Sequence, residues 1–367
     1  LLGAIAVFRE PMPLEAISGM DMETDLLDDL VEKGLARQAD SENYDVHDLV
    51  REFLTRSMED SLSQSLHANA AEWYRVRKGN PSESIEYIHH LHMSGDTEGL
   101  AEALSEEGHS LVKAGHIELL GILRVLEASL FGPRTRFVIH ELTGDILSIQ
   151  GRWDEAEEQY DHALPIAVKH KLTTPLARIY SSRADLAVKK GEMDNALSLH
   201  KKALEMQIKL RDAQGAARSY NNMGYIFRRQ RDNKRAIEVY GNVEELLESE
   251  DSPDLTEARI RLASAFLEMG EMDRARDHAM KAHDETAENN QEKLHARSRA
   301  VLGRYYARIK DNDLAMHHYT GALEILSDQS DPRSAVEVEI LLGQVLSDAG
   351  STEEAAQHYL DALSIAE

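Results

Sequence analysis

Histidine offers the most chemistry in this 367-residue chain, because its ring nitrogens can ligate a metal, move a proton or cap a helix. His89, His90 and His92 crowd one stretch, and His89 and His92, three residues apart, would share a helical face as a pair of metal ligands does. No constellation of carboxylates accompanies them. Packed or solvent-facing histidine accounts for the cluster, so no metal is assigned. The pairs His317 with His318 and His278 with His283 offer less. Carboxylates are abundant, but they alternate with bases at helical spacing, as Glu192 does with Lys189 and Asp232 with Arg235. Catalytic acid pairs need surroundings that separate their pKa values, whereas a solvated helix face explains this pattern without them. No Gly-x-x-x-x-Gly-Lys-Ser/Thr phosphate loop occurs. With no cysteine there is no thiol nucleophile, thiolate metal site or disulfide. No catalytic residue is assigned, and binding is the chemistry to look for.

Binding chemistry is bounded by charge. The 41 Lys and Arg against 66 Asp and Glu give a formal net charge of −25, which repels a phosphate backbone and disfavours nucleic acid as a partner. The longest apolar stretch, residues 1–8, is too short to span a bilayer and lacks the basic start and cleavage site of a signal peptide. No membrane partner is expected, and absent cysteine fits a cytoplasmic location. The sequence begins in mid-pattern without Met, as a piece of a longer protein would. Hydrophobic residues make up 42%, while aromatics (5%) and Pro (8 residues) are scarce, which favours helices over sheets.

The elements that position any binding residue are set by a repeat. The segments GRWDEA, GEMDNA, RDNKRA, GEMDRA, KDNDLA and GSTEEA end at Ala156, Ala196, Ala236, Ala275, Ala315 and Ala355, in steps of 40, 40, 39, 40 and 40 residues. Twelve residues before each alanine stands Gly144, Ala184, Gly224, Ala263, Gly303 or Gly343. Four after it stands Tyr160, His200, Tyr240, Ala279, Tyr319 or Tyr359, and seven after it another small or β-branched residue. Small residues let two helices approach closely, and an aromatic one turn on would fill the gap between hairpins. An acid within five of the six turns would cap the helix that follows and complement its dipole. This pattern resembles the tetratricopeptide repeat, in a long form of about 40 residues known from signalling adaptors and bacterial sensors. The resemblance implies an all-α fold, a right-handed α-solenoid of six hairpins over residues 132–367, in which the extra residues lengthen both helices.

Tetratricopeptide solenoids line a concave groove with the first helix of each hairpin, so the repeat register assigns side chains to it. Ser181, Asp185 and Lys189 fall there in unit two. Asn221, Asn222, Tyr225, Arg228 and Arg229 follow in unit three, and Arg304, Ala307 and Arg308 in unit five. Arg178, Arg218 and Arg297 fall at the groove edge. Arginine gathered on one surface of an acidic body sets up a local positive potential, and its forked donors suit carboxylate or phosphate. A protein, an acidic peptide or a small anionic ligand is the expected partner. Arginine that only neutralises acids of neighbouring repeats would give the same pattern.

Residues 1–60 read as three helices, a small hairpin around Asp40, Ser41 and Glu42, and a last helix over 47–58, which together make a winged helix. The runs LVEKGL from Leu30 and YDVHDLVREF from Tyr44 resemble the winged helix of the signal-transduction ATPases with numerous domains (STAND). In that family a Met-His-Asp motif touches the nucleotide, which makes His47, in Val46-His47-Asp48, the matching residue. Its alternative role is to cap the helix it begins. Winged helices also bind DNA, but the third helix, over 24–33, carries four acids against one base, and residues 1–60 carry fifteen against five. Residues 61–131 resemble the degenerate helical repeats of the maltose-type transcriptional activators, with Gly95-Asp96 and Ala114-Gly115 as turn signals.

The expected protein is therefore a non-catalytic regulatory or sensor fragment of a signalling NTPase, holding a winged helix, a connector and the array. No cofactor is expected in this chain, and ATP or ADP belongs to an NTPase domain upstream, with which the winged helix would interact. The alternative is a free-standing adaptor or scaffold, and a DNA-binding regulator ranks below it. The array ends without a polar capping helix, so further repeats or oligomerisation would cover its last hairpin.

Overall fold

The apolar first residues form α1 (Leu2–Val7), which buries Ala4, Ile5, Ala6 and Val7. Pro11 and Pro13 then prevent the helix from continuing, and a short strand β1 (Met12–Pro13) intervenes before α2 (Leu14–Gly19). Helix α3 (Leu26–Glu32) leads to β2 (Arg37–Gln38) and β3 (Asn43–Asp45), and α4 (Asp48–Ser57) follows. The computed structural model describes all residues except 20–24, 41, 78–79, 248–251, 290, 328–330 and 367. Thr24 of the expected third helix and Ser41 of the expected turn thus lie outside the described residues. The expected hairpin is β2 with β3, and its turn is built by Asp40, whose carboxylate accepts from the backbone N–H of Glu42 and of Asn43, both at 2.9 Å. Strand β1 adds to the other edge of β3, giving an antiparallel sheet of order β1-β3-β2 that pairs Met12 with Tyr44. Arg51 ties this region together: its guanidinium donates to the carbonyls of Ala6 and Phe8 at the end of α1 and to Asp45. Burial alone would raise the Asp45 pKa, but Arg37, the Val46 N–H and Arg51 together hold it below the usual value.

Helices α5 (Asp60–Arg75), α6 (Pro81–Ser94), α7 (Thr97–Lys113) and α8 (Leu119–Val125) precede the first hairpin, α9 (Pro133–Ile149) and α10 (Trp153–Lys169). The turn signals hold. Gly95 stops α6 at φ +79°, and the Asp96 carboxylate caps α7 by accepting from the Gly99 N–H at 2.9 Å.

The chain forms two compact units, Leu1–Pro175 and Leu176–Glu367. Five further hairpins follow: α11 (Thr173–Lys190) with α12 (Met193–Leu210), α13 (Ala213–Arg229) with α14 (Asn233–Leu247), α15 (Pro253–Met269) with α16 (Met272–Glu288), α17 (Glu292–Arg308) with α18 (Asn312–Ser327), and α19 (Pro332–Asp348) with α20 (Thr352–Ala366). Among the described residues no helix is long and apolar enough to cross a membrane.

All six ladder alanines are buried. The aromatic four residues on does more than close the gap to the next hairpin. Where it is Tyr, its ring also packs against the Gly of its own first helix. A Cβ built on Gly144, Gly224 or Gly303 would come within 2.5, 2.3 or 2.6 Å of the ring of Tyr160, Tyr240 or Tyr319. Where the unit carries Ala instead, at Ala184 and Ala263, the partner is the smaller His200 or Ala279. The larger first-helix residue is thus matched by a smaller partner, closely so for Ala184 with His200 and with a net loss of volume for Ala263 with Ala279. Tyr359, with no hairpin after it in this chain, is 42% exposed, against 1% or less for Tyr160, Tyr240 and Tyr319.

The turn between helices is left-handed. Gly191 (φ +82°) and Gly270 (φ +79°) suit it, whereas units three and five place Arg231 (φ +61°) and Lys310 (φ +64°) there, at about 1–2 kcal/mol each. Those two units also carry the capping acids. Asp232 accepts from the Arg235 N–H at 3.0 Å and Asp311 from the Leu314 N–H at 3.2 Å, while Glu192 and Glu271 stand at the N-cap without a side-chain bond. The longer glutamate does not reach back as aspartate does.

His200 is fully buried, and burial pushes its ring down to about 4. The half-exposed Asp185 carboxylate, 3.5 Å from Nε2, does not offset that. The folded ring is neutral where the unfolded one protonates, below about pH 6.5. Stability is therefore complete above that pH and falls as pH drops toward 4, by about 1.4 kcal/mol per pH unit for one proton. The double variant A184G/H200Y, which recreates the Gly/Tyr pair of unit three, should lose this share of the slope in urea melts taken at pH 7, 6 and 5. An unchanged slope would exclude His200 as its source.

Candidate ligand-binding groove

Two adjoining clefts open along the first helices of the second unit. One, of about 160 Å³, is lined by Ile260, Ser264, Arg297, Ala300, Arg304, Glu337 and Val338, with Arg228 reaching in from α13. The other, of about 390 Å³, lies between α17 and α19 and is lined by Ala307, Arg308, Leu341, Gln344 and Asp348 among others. Arg304 belongs to both. The site is thus built by units three to six, and units four and six, absent from the groove read off the sequence, supply much of it. Arg178, Lys189, Arg218, Asn221, Asn222, Tyr225 and Arg229 line neither cleft.

Several of these side chains join one repeat to the next. Asn221 is buried, and its amide donates to the Asp254 carbonyl at 2.9 Å, tying α13 to the first turn of α15. The Asn222 amide donates to Asp185 at 2.9 Å. Ser181 receives the Gln207 amide at 3.4 Å, and Gln207 accepts from Ser219 at 2.7 Å, so Gln207 bridges α11 and α13. Tyr225 lies under the Arg261 guanidinium, 5.6 Å from its ring centre. Arg218 is exposed and, among the described residues, reaches the Gln214 carbonyl at 3.3 Å.

The arginines meet acids in neighbouring units. Arg297 grips Glu257 with both terminal nitrogens, one of them at 2.9 Å, and Arg261 donates to the same carboxylate. Arg228 pairs with Glu268. Burial would raise the Glu257 pKa, but Arg261 and Arg297 overcome it and hold the carboxylate below its ordinary range. Sequence reasoning missed Glu257, Arg261, Glu268 and Gln207, although the register carries the signal. Six residues before the small residue, units three to six read Arg218, Glu257, Arg297 and Glu337. Five after it they read Arg229, Glu268, Arg308 and Asp348. Charge alternates along both edges, so part of the expected arginine surplus, Arg228 and Arg297 above all, is answered from the adjacent repeat.

Arg304 breaks the ladder. The neighbouring units place Tyr225, Ser264 and Gln344 at its position, and its ionic contact among the described residues is Glu268 at 3.9 Å, which Arg228 holds much closer. Arg308 follows one turn later on the same helix, facing the larger cleft.

In the first unit His47 stands exposed at the N-cap of α4, where Nδ1 accepts from the Leu49 N–H at a long 3.5 Å. Leu49 and Phe53, one turn apart on α4, are 72% and 69% exposed.

Residues 175–249 match the tetratricopeptide repeat family. No curated protein matches the chain in sequence. Among solved structures the chain is similar to a Signal Transduction ATPase with Numerous Domains (STAND) protein with a tetratricopeptide repeat sensor from Pyrococcus horikoshii. The TM-score is 0.60 at 16% identity, over 99% of this chain and 62% of that one, so this chain spans less than two thirds of that protein. Aspartyl phosphate phosphatase F from Bacillus subtilis gives a TM-score of 0.58 at 12% identity, over 96% of this chain and 80% of that one. A Rap protein complexed with Competence and Sporulation Factor gives 0.50 at 16% identity, over 86% and 78%. At these identities the likeness is one of fold.

Proposed function

We propose that this chain is a binding module in which the first helices of units four to six hold a protein segment or anionic ligand, and that Arg304 is its principal anchor. The reading rests on one observation: Arg304 opens into both clefts from a position with no opposite charge in register. A guanidinium so placed forms its best hydrogen bonds with a carboxylate or phosphate brought from outside. The floor beneath it, Ile260, Val338 and Leu341, is apolar, while Glu337 and Asp348 make the α19 wall acidic. A peptide that gives carboxylates to α17 and donors to α19 fits this cleft better than a uniformly acidic one. The similarly folded Rap protein described in complex with Competence and Sporulation Factor supports binding as the use of the fold.

The larger context we infer is a cytoplasmic signalling ATPase. The element order of residues 1–57 suits a winged helix, and His47, exposed and held among the described residues by a long cap contact, is available to a nucleotide phosphate on an adjoining NTPase domain. A free-standing adaptor would use the same groove with the winged helix as a spacer.

Selecting binders from a random dodecapeptide display library tests the groove. Recovered peptides should be enriched in Asp or Glu beside a base or amide, and Arg304→Glu should weaken them at least about tenfold through the lost charge-assisted bonds. Arg276→Glu, on a second helix, should not. Peptides without such enrichment, or indifferent to Arg304→Glu, would move the site elsewhere.

A further inference from the structure

We propose that His67, His89 and His90 form a binding site for a borderline transition-metal ion, zinc foremost, which joins α5 to α6. Each of the three rings offers a nitrogen, and the three atoms lie within 4.8 Å of one another. The Nδ1 atoms of His67 and His90 are 2.8 Å apart. Tetrahedral zinc with bonds of about 2.0–2.1 Å spaces its ligand atoms by about 3.4 Å, between these two values, so small ring rotations bring the set into place. His67 comes from a different helix and stands 22 positions from His89, which hid it from a search by local spacing.

Three further observations favour a guest. His90 is completely buried, yet its Nε2 has no hydrogen-bond partner among the described residues; a buried polar atom left so is costly, and turning the ring onto a metal would exchange one bond alone, that of Nδ1 with His67. Phe8 and Tyr74 wall the site, their ring centres 5.5 and 5.6 Å from that of His90, while His89 is half-buried, the most exposed residue of the three. Burial keeps the imidazoles neutral, lowering His67 and His89 to about 4 and His90 to about 2, so each retains the lone pair a metal needs. The nearby Arg9 is engaged by Glu86, with Nε 3.0 Å from its carboxylate. An all-imidazole donor set suits zinc, copper, nickel or cobalt and not calcium or magnesium.

The test titrates the chelator-stripped full chain with cobalt(II) and then zinc. One cobalt per chain should give the visible spectrum of a tetrahedral site, zinc should displace it, and the loaded chain should melt at higher temperature. His89→Gln, at the half-buried position, should keep the fold and weaken binding at least tenfold; His67→Gln should weaken it further. The half-buried group Glu339, His358 and Asp361 is the competing site. Binding that survives His67→Gln and His89→Gln but is lost in His358→Gln overturns the proposal. No stoichiometric cobalt binding by the unaltered chain also overturns it, and leaves a hydrogen-bonded histidine pair only.

Discussion

Glu257→Ala should lower the stability of the second unit by about 3–5 kcal/mol, the cost of leaving a buried ionic partner uncompensated. Arg261 is the partner left behind. Its side chain is 19% exposed and donates to Glu257, with a further bond to the Asn221 carbonyl at 3.2 Å, and its charge has no other close carboxylate among the contacts described. Arg297 would lose its bidentate grip in the same change but can turn toward solvent or Glu337. Glu257→Gln keeps the shape and one acceptor while removing the charge, so its loss should fall between wild type and alanine. The double variant E257L/R261M should recover much of the loss, because removing both members of a buried pair is far less costly than removing one. Urea unfolding of the four proteins measures this. A single loss below about 1 kcal/mol would show that the carboxylate does not bear on the fold.

The second large effect lies in the hairpin core. Tyr240→Ala should cost about 3–5 kcal/mol, as truncation of a buried aromatic does. Gly224→Ala should cost about 1–3 kcal/mol despite the better helix propensity of alanine, since its Cβ would meet the Tyr240 ring at 2.3 Å. The two should be strongly non-additive. G224A/Y240H, which reproduces the Ala184/His200 pair of unit two, should be more stable than Gly224→Ala alone when both are measured above pH 7, where the histidine is neutral. Hydrogen exchange along α13 and α14 localises the effect, which in a repeat array need not unfold the whole chain. Additive losses would mean that ring and glycine do not share one space.

The charge ladder gives the array a second kind of adhesion beside its apolar core. Arg259 lies between Glu244, at 3.1 Å, and Glu285, so cross-helix pairing extends beyond the groove. Such pairs also explain why an acidic protein can carry so many arginines without presenting a strongly basic surface.

Local and periodic features of this protein were determined by sequence alone. The alanine ladder set the hairpins, their length and the groove-lining helices, because close helix packing demands small residues at one fixed spacing. Asp40 and Asp96 set a turn and a cap through bonds reaching two or three residues. The pairing of Gly with Tyr and of Ala with His was also present in the sequence, since each pair is sixteen residues apart, but only packing shows that they compete for one volume. What tertiary structure decided is longer range. Strand β1 depends on an edge of β3 that lies some thirty residues away, and His67 joins His90 only because α5 packs on α6. The arginines read as a surplus are partly spent on Glu257 and Glu268, which sit one repeat of about 40 residues away, Glu257 at the register of Arg297 and Glu268 one position beyond that of Arg228. Sequence spacing assigns a side chain to a face, and the neighbour across that face decides whether its charge is still available.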